Sequence, residues 1–145
     1  MALKEKLPTA SRIALGLIFT VFGLNGFFGF IPQPPPPAAA GAFAGALAAS
    51  GYLFPLLKSV EIVAGVLLLT GVAVPFALTL LAPIVVNILF FHLFLAPAGL
   101  GIALVVLAAE LHLAWVYRSS FAPLFQREQA AESRGRRGAG GHAVA

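Results

Sequence analysis

The sequence contains no cysteine, and this absence excludes several chemistries at once. Without cysteine the chain cannot form a disulfide bond, supply a thiolate nucleophile, or hold a metal or iron–sulfur cluster through thiolate ligands. The spacing patterns of a zinc site, a phosphate-binding loop and a dinucleotide fingerprint are also missing. A thiol-based or cysteine-ligated redox site is therefore excluded for this chain.

Charged residues are scarce as well. They make up 10% of the 145 residues, against about 25% in a typical soluble domain, whereas 60% of the residues are hydrophobic. This composition excludes an ordinary water-soluble globule and predicts an integral membrane protein. The length suits one domain, because four spans of about 20 residues each would use most of the chain.

Apolar segments separated by Gly and Pro breaks place four helices along the chain. The predicted fold class is all-α, an integral membrane four-helix bundle, with the membrane domain over residues 1–118. Ser11 is the predicted N-cap of the first span. The predicted spans are about 13–31, 52–69, 75–94 and 100–117.

The segments outside the spans differ in character. Residues 32–51 carry no charge, and the run from Pro34 to Pro37 predicts a stiff polyproline rod. The Ala-rich stretch after it suits either a short helix at the outer interface or a mobile loop. Residues 119–145 are basic and Gly-rich, which predicts a disordered cytoplasmic tail.

The basic residues predict the orientation of the bundle. Every Lys and Arg except Lys58 lies in the N-terminal segment or the C-terminal tail, so the positive-inside rule places both termini in the cytoplasm. The net charge of +4, carried by the two ends, indicates contact with the lipid surface and not with nucleic acid. A cleaved signal peptide is the alternative interpretation of the N-terminal segment, but its apolar run exceeds the usual length of about 7–15 residues.

Five polar residues inside the spans form the candidate site. Lys58 and Glu61 lie on one stripe of the second span, and Glu110 lies near the midplane of the fourth. Asn25 and Asn87 lie at about the depth of Lys58 in the first and third spans. Because polar groups in hydrocarbon usually face the protein interior with a partner, the sequence predicts one polar cluster inside the bundle.

This predicted cluster suits either ligand binding or structural support. An unpaired carboxylate in hydrocarbon is costly, so one glutamate is expected to be protonated or to share a proton, which makes Glu61 and Glu110 the proton-handling candidates. The candidates for binding a polar head group, such as a quinone ring, are Asn25, Lys58, Glu61 and Asn87. The structural alternative is that interhelical hydrogen bonds and a Lys58–glutamate pair hold the four helices in register.

The two histidines within the spans are predicted to lie outside the cluster. His92 is five positions from Asn87, which turns it by about 140° and places it near the outer interface; a role in the site is the alternative interpretation. His112 comes two residues after Glu110 and points almost the opposite way. The depths of the two histidines differ by about 15 Å, so they cannot bind one haem iron axially, and no metal site is predicted.

Motifs in the first three spans carry a family resemblance. In chain order they are Arg12-x-x-Leu15-Gly16-Leu17-Ile18-Phe19, Gly23-Leu24-Asn25, Lys58-x-x-Glu61-x-x-x-Gly65-x-Leu67-Leu68-Leu69-x-Gly71, Pro75-x-Ala77-Leu78 and Ala82-Pro83-x-x-x-Asn87. In their order and spacing these motifs resemble the DoxX family of small four-helix membrane proteins. The resemblance covers about residues 12–117, which is essentially the whole membrane part.

The resemblance implies a four-helix bundle in a bacterial inner membrane. Some members are subunits of quinone-linked sulfur-oxidising or oxidative-stress complexes, and the wider superfamily resembles assembly chaperones and cargo receptors. The function it implies is an accessory membrane subunit of such an oxidoreductase system; a non-catalytic scaffold or assembly partner and a small transporter are the alternatives. The expected partners are the lipid bilayer, protein subunits of a redox complex and further copies of the chain.

Overall fold

The protein is helical through most of the part that its structure describes. The structure, a computed structural model, describes residues 2–125, with side chains from Lys6 onward, and these residues include no strand. The α-helices are α1 (Ala2–Phe28), α2 (Ala38–Ala49), α3 (Leu53–Thr70), α4 (Val74–Phe94), α5 (Leu100–Val116) and α6 (Arg118–Phe121). Short 3₁₀ helices cover Pro97–Gly99 and Ala122–Phe125.

Within residues 2–125, four helices are long and apolar enough to cross a membrane, namely α1, α3, α4, and α5 with the 3₁₀ turn before it. Helix α1 packs on α3 and α5, and α4 packs on the same two helices, so the four form a closed ring in chain order. The prediction of an all-α membrane four-helix bundle is confirmed. We call the end of the bundle beside α2 the outer end and the opposite end the inner end.

Buried apolar side chains from all four long helices fill the centre of the ring. The side chains that are at most 2% exposed include Leu15, Phe19, Leu68, Leu81 and Leu113. The opposite helix faces carry exposed apolar residues, as a surface in contact with lipid tails requires. The protein is thus a multi-pass membrane protein with an apolar core and an apolar outer surface.

Glycines let α1 and α3 approach each other closely. A Cβ atom at Gly65 would overlap Thr20, and one at Gly23 would lie 2.7 Å from Cγ1 of Ile62. Small residues at a seam between membrane helices allow this backbone-level contact, which stabilises the pair by dispersion. The close seam also brings the C-terminal part of α1 against Lys58.

Helix α1 begins earlier than the sequence indicated. The predicted span started at about residue 13 with Ser11 as its N-cap, but α1 begins at Ala2 and contains Ser11. The Ser11 hydroxyl instead pairs with Nδ1 of His112 at 3.0 Å, linking α1 to α5 at the inner end. At its other end α1 stops at Phe28, because Gly29 takes the left-handed conformation with φ of 61°.

The inner turn between α3 and α4 depends on Gly71 and Arg12. Gly71 follows α3 with φ of 76°, the left-handed conformation that favours glycine at a helix C-terminus. The Arg12 guanidinium donates hydrogen bonds to the carbonyl oxygens of Leu68 and Leu69. Carbonyls in the last helical turn have no intrahelical donor, so a basic residue of α1 completes the end of α3.

The segment at the outer end contains helix α2. Of the two interpretations that the sequence left open for the Ala-rich stretch, the structure shows the short helix. The ring of Phe43 on α2 packs on that of Phe91 on α4, with centroids 5.8 Å apart. Within α2 only Ala40 is buried, so most of this uncharged helix stays exposed beside the bundle.

Part of the predicted tail is helical. Residues 119–125 continue from α5 as α6 and a 3₁₀ helix, which corrects the prediction that disorder begins at residue 119. The local reason is a continuing run of backbone hydrogen bonds, including that from Ser120 N–H to the Tyr117 carbonyl. The remainder of the predicted tail, residues 126–145, lies outside the described residues.

Candidate functional site

A cavity of about 270 Å³ lies between the four long helices in the outer half of the bundle. Apolar side chains of α1, α4 and α5, among them Phe19, Phe22 and Phe91, form most of its wall. The charged and polar side chains that reach it are Lys58, Glu61 and His92. The cavity is therefore an apolar chamber with a small polar region on α3 and α4.

Lys58 and Glu61 form an ion pair inside this cavity. Nζ of Lys58 donates to Oε2 of Glu61 at 2.9 Å and to Oε1 at 3.1 Å. The Glu61 side chain is 5% exposed and that of Lys58 is 18% exposed. The three-residue spacing on α3 places both side chains on one face, as the sequence predicted. Removing one partner would leave a buried charge unpaired, which is strongly unfavourable.

A glycine on α1 makes room for the lysine. A Cβ atom at Gly26 would come within 2.6 Å of Cγ and Cδ of Lys58, so the aliphatic stem lies directly on the α1 backbone. The Lys58 ammonium also lies 5.7 Å from the ring centroid of Phe54, within cation–π range. The position of the ammonium is thus set by α1 and α3 together.

His92 belongs to the cavity, contrary to the sequence prediction. Its ring lines the chamber with Lys58 and Glu61, and its Nδ1 bonds to the Ala96 carbonyl at 3.0 Å. The ring lies against Gly99, where a Cβ atom would overlap it. The apolar stripe of α4 could have predicted this position. His92 is four residues after Ile88, which also lines the cavity, so the two residues share one face of the helix.

The two predicted asparagines lie elsewhere, and both placements correct the predicted cluster. Asn25 accepts a hydrogen bond from the backbone N–H of Ile31 at 2.6 Å, so its side chain closes the end of α1. Asn87 is on the exposed face of α4. Its neighbour Ile88 lies one residue further round the helix and faces the cavity instead. Neither asparagine is among the residues that line the cavity.

Glu110 is buried but separate from the ion pair. It is 5% exposed, and its Oε2 atom has no hydrogen-bond partner among the described residues. Ala103 and Val106, which line the cavity, precede it by seven and four residues on the same face of α5. Glu110 therefore lies about 6 Å further toward the inner end than Val106.

The family model of DoxX proteins matches residues 7–93, which is more than half of the chain. The chain belongs to the DoxX family. The matched part of this DoxX protein includes Lys58, Glu61 and His92, whereas Glu110 lies beyond it on α5. Comparison with curated proteins and with solved structures gave no match.

The DoxX cavity can recognise a molecule that is polar at one end. Phe22 of α1 and Ile102 of α5 line the cavity and are 40% and 50% exposed, so the cavity reaches the side of the bundle between these neighbouring helices. A ligand there would meet the ammonium, carboxylate and imidazole at one side and apolar side chains elsewhere. This combination suits a polar head group attached to an apolar tail.

Proposed function

We propose that this DoxX protein is an accessory membrane subunit of a quinone-linked redox or oxidative-stress system, and that its cavity holds a quinone head. The observation that carries the proposal is a charged pair inside an apolar cavity that reaches the membrane-facing surface. Intramembrane ionisable residues commonly mark ligand or proton sites.

The size of the cavity supports a head group and not a whole lipid. Ligand pockets usually measure about 300–1,000 Å³, and this one is about 270 Å³. A substituted six-membered ring can lie against Phe19 and Phe91 while its tail leaves between α1 and α5. Aromatic side chains favour such a ring through stacked or edge-to-face contacts.

The residues divide into two proposed roles. Lys58 and Glu61 bind the head group directly, since both side chains line the cavity. Glu110 is the proposed proton-handling group on the inner side of the cavity, with Glu61 as the proton-handling group in contact with the ligand. Asn25 and Asn87 drop out of the proposed ligand set because their side chains lie outside the cavity.

The test is the quinone content of the purified protein. We expect quinone to co-purify with the wild type and with the control variant Ser59→Ala, whose exposed side chain is next to Lys58. In Lys58→Met combined with Glu61→Gln, which removes both charges without leaving either unpaired, the content should fall about tenfold or more. A wild-type content no higher than that of an unrelated four-span protein purified in parallel would refute the proposal.

A non-catalytic scaffold or assembly partner is the second candidate, and α2 is the feature that favours it. This helix is uncharged, and all but one of its residues keep some exposure at the outer end. Such a surface suits contact with another protein. A stoichiometric protein partner in the purified sample, together with a cavity free of small molecules, would favour this candidate over the quinone-linked one.

We further propose a bacterial inner-membrane location with both termini in the cytoplasm. The basic side chains Lys6, Arg12 and Arg118 lie at the inner end, and residues 32–51 at the outer end carry no charge. Since the chain has no cysteine, Gln33→Cys and Ser119→Cys each give a single labelling site. A membrane-impermeant thiol reagent should label Gln33→Cys in intact cells and Ser119→Cys only after permeabilisation; the reverse pattern would overturn the orientation.

A further inference from the structure

The hydrogen bond made by His92 fixes which ring nitrogen is free. Its Nδ1 lies 3.0 Å from the carbonyl oxygen of Ala96. A carbonyl can only accept, so Nδ1 carries the proton, and Nε2 of the neutral ring keeps its lone pair. No described residue bonds to Nε2, so in the neutral ring this nitrogen is a free acceptor on a residue that lines the cavity.

The ion pair adds one donor and further acceptor capacity. The Lys58 ammonium has three N–H groups, and the two oxygens of Glu61 receive two of them. One N–H group remains for a ligand. Each carboxylate oxygen accepts more than one hydrogen bond, so Glu61 can still accept from a ligand. Together with Nε2 of His92, the residues that line the cavity therefore offer one donor group and two acceptor groups.

A ligand head that donates as well as accepts matches this set. An oxidised quinone has two carbonyl oxygens and no donor, so it can accept from Lys58 but gives no hydrogen bond to Nε2 of His92 and none to Glu61 beyond those from Lys58. A quinol has two hydroxyl groups, each able to donate and to accept. We infer that the cavity is selective for the reduced, hydroxyl-bearing form of a quinone over the oxidised form. This inference rests on the proposed function, because it takes a quinone-type head as the ligand.

The size of the selectivity follows from hydrogen-bond energetics. A hydrogen bond gained at a site already removed from water, compared with an unpaired acceptor, changes affinity by about five- to tenfold. We therefore expect the quinol to bind about tenfold more tightly than the quinone. His92 contributes to this ratio without being needed for binding as such, since Lys58 and the apolar wall serve both forms.

Gly99 and Gly101 supply a matched pair of variants. A Cβ atom at Gly99 would overlap the imidazole, so Gly99→Ala displaces the ring while leaving the histidine in the chain. A Cβ atom at Gly101 meets nothing within 4 Å, so Gly101→Ala is the control. His92→Phe removes both nitrogens and keeps a planar ring.

The experiment is equilibrium dialysis of the full-length protein in lipid nanodiscs against a benzoquinone with a decyl tail. The probe is used oxidised in one set and fully reduced under argon in the other, with empty nanodiscs subtracted. Wild type and Gly101→Ala should bind the quinol about tenfold more tightly than the quinone. In His92→Phe and Gly99→Ala the ratio should fall to about two or less, chiefly through weaker quinol binding.

The outcomes separate this inference from the proposed function. If neither form binds above empty nanodiscs, the proposed function fails. If both forms bind but with equal affinity in the wild type, or if both His92→Phe and Gly99→Ala keep the wild-type ratio, the inference is overturned while quinone binding stands. Should His92→Phe fail to fold, the comparison of Gly99→Ala with Gly101→Ala decides the matter alone.

Discussion

At the scale of single residues, the ion pair between Lys58 and Glu61 is the group whose loss should matter most for stability. Lys58→Met leaves the Glu61 carboxylate buried without its partner, which should cost about 3–5 kcal/mol of unfolding free energy. Adding Glu61→Gln should restore most of this loss. Thermal unfolding in detergent measures both. Equal destabilisation in the single and double variants would contradict a coupled pair.

Gly26 should control the same pair from the opposite helix. Gly26→Ala places a methyl group on the aliphatic stem of Lys58, so the lysine must shift or α1 must move away from α3. We expect a loss of about 1–3 kcal/mol in the unfolding free energy and a lower quinone content. The control is Gly45→Ala in α2, where a Cβ atom meets nothing within 4 Å. If the two variants behaved alike, this account of Gly26 would be wrong.

Asn87 should be dispensable for ligand binding. Its side chain lies on the exposed face of α4 and not in the cavity, so Asn87→Leu should leave the quinone content of the purified protein within about twofold of wild type. Mass spectrometry of the extracted lipids provides the measurement. A loss as large as that of the charge-free ion-pair variant would show that Asn87 contributes to the site after all.

These residues also show what the sequence could and could not predict about the site. The pairing of Lys58 with Glu61 was predictable, because a spacing of three on one helix fixes a shared face whatever the helix packs against. The presence of His92 in the cavity in place of Asn87 was not predictable in this way. The prediction assumed that the Asn87 side chain faces the bundle interior, whereas the apolar stripe through Leu81, Ile84 and Ile88 determines which face of α4 is buried.

At the scale of helices, Arg12 should stabilise the inner end of α3. Its guanidinium donates to two carbonyls of the last turn, so Arg12→Gln should destabilise the protein by about 1.5–3 kcal/mol. Hydrogen exchange should accelerate around residues 67–71 and stay unchanged around Lys58. Arg118→Gln, which removes an exposed bond to the Trp115 carbonyl, is the control and should have little effect. Unchanged exchange at residues 67–71 would refute the role of Arg12.

Helix existence was easier to predict than helix ends. Four apolar runs of membrane length left few other ways to satisfy the backbone in lipid, and the four long helices are present. The start of α1 was missed because Pro8 and Ser11 are typical of a helix beginning, yet both lie inside the helix. Tertiary contact decides here, since the Ser11 hydroxyl finds His112 on α5.

At the scale of the whole molecule, the ring order of the helices places charged and apolar side chains around one cavity. Helix α3 supplies the ion pair and α4 the imidazole, whereas α1 and α5 supply apolar walls. The four-helix bundle itself followed from the four apolar spans of the sequence. The cavity did not, because its volume depends on how much space the side chains leave once the helices are packed.

The opening between α1 and α5 has a consequence for which molecules compete for the site. Because Phe22 and Ile102, which line the cavity, are also exposed on the side of the bundle, the tail of the proposed ligand would stay outside the cavity among the acyl chains of the bilayer. The cavity would then not distinguish quinones by the length or saturation of their tails. Its occupancy would follow the abundance and oxidation state of the whole quinone pool in the membrane. The protein would sample the redox balance of its membrane as a bulk quantity, regardless of which isoprenoid length the cell makes.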